Sequence, residues 1–173
     1  MDEESTTAAP AGLLRRLAAL FYDVLLTIAL AFAATFALLP LTDGEAILTS
    51  TQGLAGRLYH ALLLLLVFGY FGLCWTRGGQ TLGMKAWRIR LGTEDGRPVT
   101  WGNSLVRFTV GATLALMAVL GLWQLARPGW SITDLGAALL VAPAIVNMAW
   151  IAFDGTARSL QDLAGRLRVT RLP

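Results

Sequence analysis

Asp23 is the only charge in residues 17–39, an otherwise apolar stretch, and an acid in such a setting points either to proton or cation chemistry or to a buried ion pair. A carboxylate at that depth costs about 2.5–3.5 kcal/mol on insertion scales, which the many Leu, Ile, Val and Phe residues of the stretch offset. Arg16 lies seven residues earlier, on nearly the same helix face but about 10.5 Å away along the axis, too far for direct contact. Thr27, four residues on, is placed to donate a hydrogen bond to Asp23. A positive partner has to come from another segment, and Arg107, early in a later apolar run, is the first choice. The same charges then serve either to fix helix packing or to titrate and bind an ion.

Asp162 follows the last apolar run. Around it Leu160, Leu163, Ala164 and Leu167 recur at helical spacing while Arg166 and Arg168 project elsewhere, the pattern of an amphipathic helix over 158–171 lying on the inner leaflet. This brings Asp162 to the depth of Arg16. Asp154 and Arg158, at i and i+4, read as a surface pair. The longest polar segment carries Lys85, Arg88 and Arg90 with Trp87 and Trp101 beside them, a lipid-facing basic loop suited to anionic head groups. Within it Gly79 and Gly83 bracket a short helical turn, Arg88 to Leu91 alternates as a strand, and Asp95-Gly96 is a hairpin signal with a return over Pro98 to Trp101. A two-stranded flap is predicted.

The elements that must hold these residues are membrane helices. Of 173 residues, 55% are apolar and 14% charged, too many apolar groups for a soluble fold of this length to hide. Runs at 17–39, 58–75, 105–125 and 135–153 are each long enough to cross the hydrocarbon. Pro143 is expected to kink the last of them without breaking it, and Pro128-Gly129 marks the turn before it. The expected fold class is an all-α membrane protein of four spans, with residues 1–14 a disordered tail and 15–173 one domain. Dividing Lys and Arg among the resulting loops leaves only Arg57 and Arg127 on one side and the other twelve opposite, which places both termini in the cytoplasm. Two arginines before an apolar run ending Ala31-Phe32-Ala33 imitate a cleaved signal, but the run continues to Leu39 and further spans follow.

Composition also narrows chemistry. Cys74 and His60 are single, so neither a disulfide within the chain nor a Cys/His metal cluster is expected, and no cofactor is. Cys74 reads as a packing residue and His60 as an interfacial one. No nucleophile with a base and no phosphate loop is visible, so an enzyme is not expected. The basic residues lie between apolar runs, which favours anionic lipid over nucleic acid as a partner. Ala29, Ala33 and Ala37 on the first helix, and Gly111 with Ala115 on the third, form small-residue stripes suited to close helix packing. Four short helices enclose little volume, so a transport path is expected to need a homo-oligomer.

Three segments together resemble the RDD family of bacterial membrane proteins: Arg16-Leu-Ala-Ala-Leu-Phe-Tyr-Asp23, then Gly79-Gln-Thr-Leu-Gly-Met-Lys-Ala-Trp-Arg-Ile-Arg-Leu91 with Asp95-Gly96, and Arg158-Ser-Leu-Gln-Asp162-Leu-Ala-Gly165. The resemblance covers most of the chain. It implies a cytoplasmic-membrane protein that exchanges monovalent cations for protons, as some members are associated with doing; the alternative, read from the charges and the basic loop themselves, is a non-catalytic scaffold or assembly partner. Asp23 would then be the titrating acid, tuned by Arg16, Arg107 and Asp162. Family members often carry His where this chain has Gln161 and Thr where it has Arg166, so a proton relay through that His is lacking.

Overall fold

The computed structural model describes residues 9–42, 53–127 and 135–173. Residues 1–8 of the predicted tail at 1–14 and the Pro128-Gly129 turn lie outside the described residues. Four helices are long and apolar enough to cross a membrane: α1 (Leu13–Leu38), α2 (Leu54–Gly78), α4 (Trp101–Leu125) and α5 (Leu135–Phe153). A five-residue helix and a strand, α3 (Leu82–Ala86) and β1 (Ile89–Thr93), stand between α2 and α4, and a second such pair, α6 (Leu160–Ala164) and β2 (Leu167–Arg171), follows α5. The chain is thus a mostly helical membrane protein with a small antiparallel sheet. Along the spans large apolar side chains such as Phe32, Leu65, Leu116 and Ile145 point outward, a surface that only a hydrocarbon solvent suits. α5 runs unbroken through Pro143.

Polar structure collects at one end of the spans, where α1 and α4 begin and α2 and α5 finish. Here the predicted flap is corrected. β1 pairs with β2, Leu91 opposite Val169, and not with residues 98–101. The expected amphipathic helix over 158–171 is likewise only one turn long before it becomes β2. The physical reason lies in the tail's own alternation: Leu167 and Val169 are buried while Arg168 between them is exposed, a period of two that outcompetes the four-residue helical match. Structure also starts earlier than Arg15. The Ala11 N–H donates to the Val169 carbonyl (3.0 Å) and the Arg171 N–H to the Ala9 carbonyl (2.8 Å), so residues 9–11 extend the sheet. Ile89, Leu91, Leu167, Val169 and Ala11 pack with Trp75 and Met84 in a well-buried core.

The two halves of this layer follow the same local plan. Thr81 and Ser159, 78 residues apart, cap α3 and α6; seven residues after each cap, Arg88 (φ 51°) and Arg166 (φ 53°) turn left-handed; then Ile89-Arg90-Leu91 and Leu167-Arg168-Val169 open the strands. Leu91 and Val169, equivalent in the two halves, face one another in the register, so the strands meet about a local two-fold axis. α3 lies on α1 and α6 on α4 in matching fashion.

Candidate functional site

Arg16, Arg107 and Asp162 come together where α1, α4 and α6 meet. Asp162 is the third residue of α6, and Ser159 and Asp162 form a reciprocal capping box: the Ser159 N–H donates to Asp162 Oδ2 (3.1 Å) and the Asp162 N–H to Ser159 Oγ (3.3 Å). Held this way, Asp162 is fully buried. Arg16 Nη1 donates to its Oδ2 at 2.5 Å, and Arg107 Nη1 pairs with its Oδ1. Arg16 spends its remaining donors on backbone: Nε on the Ala11 carbonyl (3.0 Å) and Nη2 on the Ala157 carbonyl (2.5 Å). Ala157 has φ 49°, a left-handed turn that is uncommon outside glycine. The Arg107 guanidinium lies 5.1 Å from the centre of the Trp75 ring, a cation–π contact. One guanidinium therefore ties the segment before α1, the turn after α5 and α6 into a single unit, and a second brings in α4.

Asp23 belongs to a separate cluster, and its predicted pairing with Arg107 is corrected. Only 4% exposed, it accepts from Tyr70 Oη (2.8 Å), Thr81 Oγ1 (2.5 Å) and the Gly83 N–H (3.0 Å). Three neutral donors satisfy the buried carboxylate, and Arg107 is drawn to Asp162 instead. Thr27 does not donate to Asp23 either: its hydroxyl bonds the Val24 carbonyl (3.0 Å), the local backbone alternative open to a helical threonine. Gly83 is glycine because a Cβ there would overlap the Ala19 carbonyl and press on the Asp23 carboxyl carbon at 3.0 Å. Gly79 is glycine because it adopts φ 68° at the end of α2 and its carbonyl receives the Leu91 N–H at 2.7 Å.

Lys85, Arg88 and Arg90 are exposed, as are Trp87 and Trp101. Arg158 bridges Asp154 (3.6 Å) and Glu94 (2.5 Å). Gln161 sits against Gly111, where a Cβ would come within 3.3 Å of its amide oxygen, so this glycine makes room for α6 and not for a neighbouring span. His60 Nδ1 is 2.7 Å from the Gly56 carbonyl beside the Tyr59 ring. Between α1, α2, α4 and α5 lies a cavity of about 380 Å³ whose largely apolar wall includes Arg16, Asp23, Thr27, Arg107 and Asn147. Among the described residues no His, Cys, Asp or Glu cluster is arranged to hold a metal.

The RDD family profile matches residues 10–166, from just before α1 to the residue that precedes β2. The chain belongs to the RDD family. No curated protein and no solved structure matches it. Of the charges in the three segments that carry the resemblance, Arg16 and Asp162 are partners, while Asp23 binds the middle segment through Thr81 and Gly83. The motif segments are thus motifs of assembly: Asp23 explains Thr81 and Gly83, and Asp162 explains Ser159. Sequence reasoning missed Tyr70, Thr81, Gly83 and Ser159. Ser159 was recoverable, since Ser followed three residues later by Asp has capping-box spacing. Tyr70 carried no signal of its own.

Proposed function

We propose that this RDD chain is a multi-pass protein of the bacterial cytoplasmic membrane, with both termini cytoplasmic, and a non-catalytic module that docks lipid or protein through a rigid cytoplasmic layer. The observation that carries the reading is the clamp on Asp162, which is fully buried between Arg16 and Arg107. A charge held by two guanidiniums and a backbone N–H is suited to fixing structure, because opening it would strand buried ions. Asp23, filled by three neutral donors, serves the same end. The orientation is supported by the charge division: the end that gathers both chain ends carries all basic residues except Arg57 and Arg127. Lys85, Arg88 and Arg90 then face anionic head groups.

A second reading is exchange of a monovalent cation for protons, in a homo-oligomer. What favours it is the cavity of about 380 Å³ that has Asp23, Thr27, Arg16 and Arg107 in its wall. Proteoliposomes of wild type and Asp23→Asn separate the two. The docking reading expects no sodium-driven proton movement in either. Sodium-driven proton movement that is present in wild type and lost in Asp23→Asn overturns it in favour of exchange.

A further inference from the structure

A second concavity, of about 330 Å³, lies on the outside of the polar layer, between the end of α2 and the outer face of the sheet, and its charged lining is four arginines: Arg77, Arg90, Arg97 and Arg168. No Asp or Glu lines it. Each arginine comes from a different segment, the last turn of α2, β1, the loop before α4, and β2. Arg90 and Arg168 hold equivalent places in the two halves of the layer, and both project from the exposed sheet face, Arg90 opposite Thr170 and Arg168 opposite Gly92. Among the described residues, the arginines in ion pairs are Arg16, Arg107 and Arg158, so the four cleft arginines have no carboxylate partner. Glu94, the acid closest to them in sequence on the loop side apart from Asp95, is taken by Arg158. Glycines at 78, 79, 92 and 96 line the same space.

We propose that this cleft binds a phosphate group bearing two negative charges, a phosphomonoester or the end of a polyphosphate. Four exposed like charges lining one cleft repel one another and gain nothing from one another in folding. Guanidiniums offer paired N–H donors that match phosphate oxygens two at a time, which an ammonium does not. A flat solvated basic face would attract anionic lipid diffusely, by charge alone. A cleft requires the arginine geometry as well. The phosphate is supplied either by a soluble molecule or by a lipid head group, and the two are distinguished by probe.

The full chain in nanodiscs of neutral phosphatidylcholine is titrated with inorganic pyrophosphate by calorimetry, and nanodiscs doped with phosphatidic acid are compared with ones doped with phosphatidylglycerol by lipid retention. The site predicts saturable binding of pyrophosphate, or preferential retention of phosphatidic acid; which of the two is seen names the source. It also predicts that Arg90→Gln with Arg168→Gln weakens that binding by about tenfold or more. Arg77→Gln with Arg97→Gln, outside the sheet, does the same, so the test survives a fold defect in the first variant. Charge-preserving Arg168→Lys also weakens it, whereas Arg171→Gln, outside the cleft, leaves it unchanged. Absence of saturable binding to both probes overturns the site, as does full retention of affinity in Arg168→Lys or an equal loss in Arg171→Gln.

Discussion

Asp162, fully buried, shares its two oxygens between two guanidiniums, so its charge matters more than its shape. Asp162→Asn keeps the volume and one acceptor for the Ser159 N–H but leaves Arg16 and Arg107 buried without a counter-ion. Loss of one partner from such a group costs about 3–5 kcal/mol, and unfolding in mixed detergent micelles is expected to show a destabilisation of that size. Arg16→Lys is expected to be costly too, because a lysine ammonium cannot reach the Ala11 and Ala157 carbonyls and Asp162 together as the planar fork does. At this scale the sequence was partly legible. The shared depth of Arg16 and Asp162 followed from counting residues along two elements. The partner of Asp23 did not, because a buried carboxylate suggests a cation and is satisfied equally well by hydroxyls and a backbone N–H that only the folded chain brings to it.

The short elements of the polar layer carry the next predictions. α3 rests on α1 through a glycine, so Gly83→Ala is expected to push the two apart, with the loss of about 1–3 kcal/mol typical of overpacking and weakened protection of the residue-83 N–H that bonds Asp23, read by hydrogen exchange. In the turn after α5, the Thr156 hydroxyl (2.5 Å) and the Arg158 N–H (2.9 Å) hold the Asp154 carboxyl below the usual carboxylate range. A depressed folded-state value means that the contribution is present above the unfolded pKa and is lost as pH falls through the folded one. Acid titration of stability is therefore expected to lose this component in Asp154→Asn. The repeat of Thr81-Leu82 to Arg90-Leu91 in Ser159-Leu160 to Arg168-Val169 was present in the sequence. It was hidden because the copies differ where they meet the spans, Gly83 against Asp23 in one and Gln161 against Gly111 in the other, and because a strand so short also fits a helical pattern.

Across the whole molecule, four spans were legible because long apolar runs have one solution in a bilayer. The pairing of β1 with β2 was not, since it joins segments on either side of two spans and no local turn dictates it. The gathering of residues 9–11, β2 and all four span ends in one layer predicts that a reporter fused after Pro173 is active only in its cytoplasmic form, and that one inserted between α4 and α5 is active only in its periplasmic form. A periplasmic signal after Pro173 would refute the orientation. The central claim, that Arg16, Arg107 and Asp162 lock the spans to this layer, is tested most directly by double-mutant cycles on unfolding stability, pairing Arg107→Met with Asp162→Asn and with Asp23→Asn. The lock predicts a coupling of about 1–3 kcal/mol for Arg107 with Asp162 and additivity within about 0.5 kcal/mol for Arg107 with Asp23. Additivity in the first cycle with coupling in the second would contradict it.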